Sequence, residues 1–194
     1  MNCLFLGYNA KETKIINFLK KKKLSVKNLK KNLGFKDIIS SDIIISFGYR
    51  KIIKKEILKK LKRPIINLHM SYLPFNRGSN PNYWSFVNRT KKGVTIHEID
   101  SGIDTGNIIY QKEIKFNLKK NTKLTFRSTY RVLFKELENL FIKNYKEILS
   151  GNYKIKINKK LSNALNKSRD LPDELKTWDI NIKKYLKEIK QNEK

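Results

Sequence analysis

The sequence has almost none of the cysteine that stabilises secreted proteins. Cys3 is the single cysteine among 194 residues, so no disulfide can form within the chain. Structural disulfides belong to oxidising compartments, and a chain without them fits a reducing one. We therefore predict a cytoplasmic location.

Long apolar runs are also missing. A helix that crosses a membrane needs about 20 consecutive apolar residues, and no run in this sequence approaches that length. The first residues, "MNCLFLGYN", have neither a basic start nor a cleavage site of small residues, so they do not resemble a signal peptide. We expect no association with a membrane.

Acidic residues are scarce: 17 Asp and Glu stand against 44 Lys and Arg, which gives a net charge of +27. Such an excess suggests a nucleic acid or another polyanion as partner. However, residues 64–111 contain only four basic and three acidic residues, and lysine far outnumbers arginine. The excess lies on predicted helix faces and in the tail. Solvated helix faces are therefore the favoured interpretation, and nucleic-acid binding remains the second one.

The order of apolar patterns predicts an α/β fold. Continuous apolar runs predict buried strands, and runs with apolar residues three or four apart predict amphipathic helices. Strands are predicted at 2–9, 24–29, 42–48, 63–70, 93–100 and 107–116, and helices at 10–23, 50–62, 82–89 and 123–151. Strand and helix alternate through the first half, which indicates a Rossmann-like, mainly parallel twisted sheet flanked by helices.

The same pattern suggests how the chain is organised. Its length fits a single domain, with residues 1–151 as the catalytic domain. Residues 152–194 are predicted to form turns and a last helix, as a C-terminal extension that packs on the same domain.

Three polar residues interrupt the apolar patterns at positions suited to chemistry. Asn67 and His69 are two apart at the end of a predicted strand, so they point to the same face, and Asp104 lies in a tight loop. In parallel sheets, ligands bind at the carboxyl ends of the strands. An amide and an imidazole aimed at one point can stabilise an oxyanion, and a nearby carboxylate can hold the imidazole charged or help to remove a proton. The set suits direct acyl transfer to an amine, although each residue alone could be structural.

The residues around this trio form two motifs that resemble a known family. "N-x-H-x-S-x-L-P-x-x-R-G" begins at Asn67, and "G-V-T-I-H-x-I-D-x-G-x-D-T-G-x-I" begins at Gly93. Both resemble the formyltransferases that use 10-formyltetrahydrofolate, and the resemblance runs from the first strand to about Asp179. It implies the single-domain formyltransferase fold, a folate co-substrate and no metal.

The resemblance also implies roles for individual residues. Asn67, His69 and Asp104 match the family's catalytic triad. Two segments would bind the pterin largely through backbone groups: one is Tyr49, Arg50, Lys51 and Ile52, and the other is Asp100, Ser101, Gly102 and Ile103. His97, the second of the chain's two histidines, is predicted to be structural.

The motifs say more about the donor of the formyl group than about its acceptor. "SYLPFNRGSNPNYWSF" and "SRDLPDEL" resemble the small formyltransferases that modify amino sugars, so the implied acceptor is a nucleotide-linked amino sugar. In that interpretation Arg77, Asn80 and Trp84 line the acceptor side; a merely structural loop is the alternative. A methionyl-tRNA formyltransferase-like activity, or a repurposed fold that binds RNA, remains open. A homodimer is compatible with the widely spread apolar residues of the helix at 123–151.

Overall fold

The computed structural model describes residues 1–159, 165–172, 175 and 177–192. The strands are β1 (Asn2–Gly7), β2 (Ser25–Leu29), β3 (Ile43–Phe47), β4 (Ile66–His69), β5 (Arg77–Gly78), β6 (Gly93–Glu98), β7 (Ile108–Glu113) and β8 (Leu165–Asn166). The helices are α1 (Lys14–Lys21), α2 (Phe35–Ile39), α3 (Lys55–Leu58), α4 (Pro81–Val87), α5 (Phe126–Lys143), α6 (Tyr145–Ser150) and α7 (Ile182–Asn192).

Six strands form one twisted sheet in the order β2-β1-β3-β4-β6-β7. β2, β1, β3 and β4 are parallel, and β6 and β7 are antiparallel to their neighbours. The predicted mainly parallel sheet with flanking helices is confirmed. β3 is buried along its whole length, which explains its run of β-branched residues.

The two faces of the sheet carry separate apolar clusters. On one face, residues of β1, β3, β4 and β6 pack against α1 and α5, with Leu133, Leu137 and Phe141 supplied by α5. On the other face, alternate residues of β1 and β3, such as Leu4 and Ile44, pack against α2 and α3. The active-site candidates lie on this second face, where the apolar cluster ends.

Two predicted helices differ from the structure. The helix predicted at 50–62 is reduced to α3, Lys55–Leu58. Ile57 is the one buried residue of α3, so little apolar packing supports a longer helix. The helix predicted at 123–151 divides into α5 and α6 at Asn144, whose side-chain Nδ2 donates to the carbonyl of Leu140 at 2.7 Å and competes with the regular backbone pattern.

The described part of the C-terminal segment runs back along the sheet. After Gly151, which takes the left-handed conformation that suits glycine (φ 81°), Lys156 and Ile108 exchange two backbone hydrogen bonds of 2.8 Å. β8 pairs with β5, and α7 packs Ile182 and Tyr185 into a third apolar cluster with α4. The domain boundary after residue 151 stays a prediction. In the part of the chain described here, no helix has the length and apolar character needed to cross a membrane.

Candidate active site

β4 and β6 place three polar side chains on one face of the sheet. Asn67 and His69 alternate with the apolar Ile66 and Leu68, so they point away from α5. His97 lies directly opposite Asn67 in the antiparallel β4–β6 pair. Cross-strand partners share a face, and Asn67 Nδ2 is 3.0 Å from His97 Nε2.

Asp104 approaches these three side chains from the β6–β7 loop. Its Oδ2 is 3.6 Å from His69 Nε2, and its Oδ1 is 3.5 Å from His97 Nε2 and 3.4 Å from Asn67 Nδ2. Its Oδ2 also accepts a 2.8 Å hydrogen bond from the backbone N–H of Gly78. The structure thus brings the three predicted catalytic residues together.

His97 sets the orientation of Asn67. The Nδ1 of His97 is 2.7 Å from the carbonyl oxygen of Glu98, which can only accept, so Nδ1 carries a proton. In the neutral ring, Nε2 then accepts from the amide of Asn67. Because the Nδ2 group of Asn67 faces His97 and Asp104, its amide orientation is fixed by two partners.

Burial and charge set the protonation states of the pair. Burial lowers the pKa of His69 below its ordinary value; the charge of Asp104 opposes this shift, and His97 adds to it. Burial alone would raise the pKa of Asp104, but His69, His97 and the Gly78 N–H stabilise the carboxylate and bring the pKa below its ordinary range. The site therefore holds a neutral imidazole beside an ionised carboxylate at neutral pH. Asp104 opposes the effect of burial on His69 and lies close enough to orient its ring.

A network of backbone contacts supports the loop after β4. Thr95, fully buried beside His69, donates to the carbonyl of Ser71 at 2.6 Å and accepts from the N–H of Leu73 at 3.2 Å. Ser71 in turn donates to the carbonyl of Phe75. These bonds fix the course of the chain between His69 and β5, and so fix where Gly78 meets Asp104.

The two segments expected to bind the pterin carry apolar side chains that face solvent. Ile52 is 90% exposed and Ile103 is 51% exposed. Tyr49 and Ile99, which begin or adjoin these segments, pack on the same apolar cluster. Asp100 accepts from the N–H of Gly102 at 2.9 Å and from Thr105 at 2.6 Å, which shapes the second loop. Arg50, Lys51 and Ser101 are exposed in these loops.

The residues expected on the acceptor side lie in β5 and at the start of α4. Arg77 precedes Gly78, whose N–H contacts Asp104. Asn80 is the N-cap of α4 in a left-handed conformation, and Trp84 is half-buried one turn later, with its ring 4.9 Å from that of Tyr83. Arg77 is thus next in sequence to a residue that contacts the trio, whereas the carbonyl of Asn80 accepts from the N–H of Trp84 within α4.

Two further side chains support the trio, and only one of them lies in a sequence motif. His97, predicted to be structural, hydrogen-bonds Asn67 directly and so helps to hold the site; its place in the second motif is the available signal. Asn158 lies in a lysine-rich stretch outside both motifs and donates to the carbonyl of Asp104 at 3.0 Å. Over the described ranges, no group of three or more His, Cys, Asp or Glu side chains is arranged to hold a metal ion.

The fold is that of a formyl transferase. The family model described as "Formyl transferase" matches residues 7–140, which is more than half of the chain. The chain belongs to this family.

Comparison with individual proteins adds detail. The chain is 36% identical, with a TM-score of 0.84, to the formyltransferase PseJ from Anoxybacillus kamchatkensis, solved in complex with UDP-4,6-dideoxy-4-formamido-L-AltNAc and tetrahydrofolate. The similarity covers 95% of this chain and 97% of that one. A sugar N-formyltransferase from Shewanella sp FDAARGOS_354 shares the fold at 21% identity, with a TM-score of 0.70 over 88% of this chain and 78% of that one.

Methionyl-tRNA formyltransferase from Thermodesulfovibrio yellowstonii is 44% identical over 86 residues, which are 44% of this chain and 28% of that protein. The chain thus matches less than a third of the length of such curated relatives.

Proposed function

We propose that the protein transfers a formyl group from 10-formyltetrahydrofolate to the primary amine of a nucleotide-linked amino sugar. The observation that supports this most is the near full-length similarity to PseJ, whose structure holds a formamido UDP-sugar and tetrahydrofolate. The match to methionyl-tRNA formyltransferase covers less than half of this chain, so it favours that acceptor less.

In the proposed reaction the acceptor amine attacks the formyl carbon, and the carbonyl oxygen gains negative charge. Asn67 Nδ2 lies 3.4 Å from Asp104 Oδ1, a long contact that the carbonyl oxygen of the substrate replaces as acceptor, while the other N–H of the amide stays on His97. The protein supplies no covalent nucleophile because the acceptor amine itself forms the new C–N bond.

His69 takes the proton that the attacking amine must lose. Its pKa lies below the ordinary value, so the ring is neutral at neutral pH and can accept a proton. Asp104, with Oδ2 at 3.6 Å from Nε2, stabilises the imidazolium that forms. The bond between the formyl carbon and the folate nitrogen then breaks, and that nitrogen takes the proton back from His69.

The residues proposed for the folate fit its chemistry. A pterin has an apolar ring face and an edge of donors and acceptors, which exposed loop backbone can pair with. Ile52 and Ile103 offer exposed apolar contact, and Tyr49, Arg50, Lys51, Asp100, Ser101 and Gly102 offer backbone groups beside them. Arg77, Asn80 and Trp84 are proposed to line the acceptor side. A homodimer and a cytoplasmic location remain predictions.

The experiment is a transfer assay with purified protein, 10-formyltetrahydrofolate and UDP-linked 4-amino sugars, with initiator methionyl-tRNA as the competing acceptor. An N-formyl sugar nucleotide formed at a catalytic rate supports the proposal. Formylation of the tRNA alone would replace the acceptor, and formylation of neither would overturn the proposal.

A further inference from the structure

The segment that follows α6 lies against the loop that carries Asp104. Lys156 and Ile108 exchange two backbone hydrogen bonds, which place residues 152–159 beside the end of that loop. Two positions further along, Asn158 is 7% exposed although most of its neighbours in the segment face solvent. A buried amide in an exposed lysine-rich stretch needs a reason for its burial.

The amide of Asn158 bridges two backbone carbonyl groups of the loop that carries Asp104. Its Nδ2 donates to the carbonyl oxygen of Asp104 at 3.0 Å and to that of Gly106 at 3.2 Å. Both hydrogens of one amide group are therefore used on the backbone on either side of Thr105.

Asp104 needs such support because its backbone is in the left-handed region, with φ of 50°. Asp adopts this conformation more readily than most residues, but in a folded protein it persists because the surroundings hold it. The direction of the carboxylate depends on it, since a change of φ at Asp104 would swing Oδ2 away from His69. Gly106 adds a second restraint, because a Cβ there would clash with the carbonyl oxygen of Glu98.

The C-terminal segment also supports the carboxylate from the other side. β8 pairs with β5, and a Cβ at Gly78 would clash with the carbonyl oxygen of Asn166, so the two strands meet closely at that point. The N–H of the same Gly78 donates to Asp104 Oδ2. The backbone and the carboxylate of Asp104 are thus held from two directions by residues that contact, or belong to, the part of the chain after residue 151.

We infer that Asn158 is a positioning residue for catalysis: it fixes the left-handed backbone of Asp104 so that the carboxylate meets His69. The inference rests on the proposed function for its kinetic consequence, but the positioning itself is a property of the folded protein. Asn158 acts through Asp104, whose backbone carbonyl it contacts.

The kinetic test compares Asn158→Ala with Asn152→Ala, an exposed asparagine of the same segment. A misplacement of about 1 Å at a catalytic group can cost about 10²-fold in rate. We expect Asn158→Ala to lower kcat by about that factor with little change in KM for either substrate, and Asn152→Ala to match the unaltered protein. Asn158→Ser, which keeps one donor, should lie between them and serves if the alanine variant does not fold.

A second measurement does not depend on activity. The chain has only two histidines, so the imidazole NMR signals of His69 and His97 can be told apart by a single His97→Asn variant. Loss of the Asp104 charge near His69 should lower the pKa of His69 in Asn158→Ala or Asn158→Ser, while Asn152→Ala leaves it unchanged. If the pKa of His69 in both Asn158 variants equals that in the unaltered protein, and kcat stays within twofold, the inference is wrong. A protein that transfers no formyl group but shows the shift would refute the proposed function alone.

Discussion

The two faces of β4 carry different kinds of side chain and have different surroundings. One face presents Ile66 and Leu68, which are buried against the cluster formed with α5. The other presents Asn67 and His69, which meet His97 and Asp104. Of these four consecutive residues, two stabilise the fold and two lie in the proposed active site, because a strand sends successive side chains to opposite faces.

Two of the active-site residues lie on a packed strand and not in a loop, which makes the active site rigid. Packing of the apolar face fixes the position of β4 in the sheet. The polar side chains of the same strand are therefore fixed in position as well. A substitution on the polar face should therefore lower the rate, and a substitution on the apolar face should lower the stability.

The largest effect is expected on the polar face. Asn67→Ala removes the proposed oxyanion donor, and the loss of one such donor typically lowers kcat by about 10² to 10³-fold. Steady-state kinetics with the amino-sugar nucleotide would measure it. The melting temperature should change little, since Asn67 is only partly buried. A variant that keeps its rate would remove Asn67 from the mechanism.

The next effect belongs to the apolar face. Leu68 is 3% exposed, and Leu68→Ala should lower the free energy of unfolding by about 2–5 kcal/mol through lost burial and a cavity. Urea unfolding would measure this loss, while kcat per folded molecule should stay within about twofold. Ile66→Val is the milder companion, at about 0.5–1.5 kcal/mol. A large fall in kcat for the folded Leu68→Ala protein would show that the two faces are not separable.

The pH dependence should follow His69. The proposed base is the neutral ring, and its pKa lies below the ordinary value because of burial. As pH falls through that pKa the base is lost, so kcat/KM should fall by about tenfold per pH unit below it and be level above it. A pH–rate profile from pH 4.5 to 8 measures this. His69→Asn should give a slower reaction without that step; an unchanged step in the variant would assign the titration to another group.

The smallest effect concerns the helix that covers the apolar face. The buried Glu138 of α5 accepts from Thr13 Oγ1 at 2.7 Å and from the N–H of Lys14 at 2.8 Å, and so caps the start of α1. Glu138→Gln should cost about 1–2 kcal/mol of stability by weakening these charge-assisted bonds. Glu136→Gln, at a more exposed pair with Lys112, is the control and should cost less than about 1 kcal/mol. Equal losses in both variants would refute the capping role.

The sequence predicted the sheet, its flanking helices and the same-face placement of Asn67 and His69, because all three follow from local periodicity. It did not predict that the helix expected at 50–62 would be only α3, since lysine-rich amphipathic patterns do not reveal where burial stops. The contacts of Asp104 with Gly78 and Asn158 span 26 and 54 residues. Such contacts depend on how the chain returns to the sheet, which no local pattern encodes.

The most direct test of the account uses a folate labelled with ¹³C in its formyl group and a UDP-linked 4-amino sugar in a single turnover. The account predicts that the label appears as an N-formyl group on the sugar of the nucleotide, and that Asp104→Asn lowers this rate by about 10²-fold or more while folate binding is retained. Label transfer at the same rate by the unaltered protein and by Asp104→Asn would contradict it.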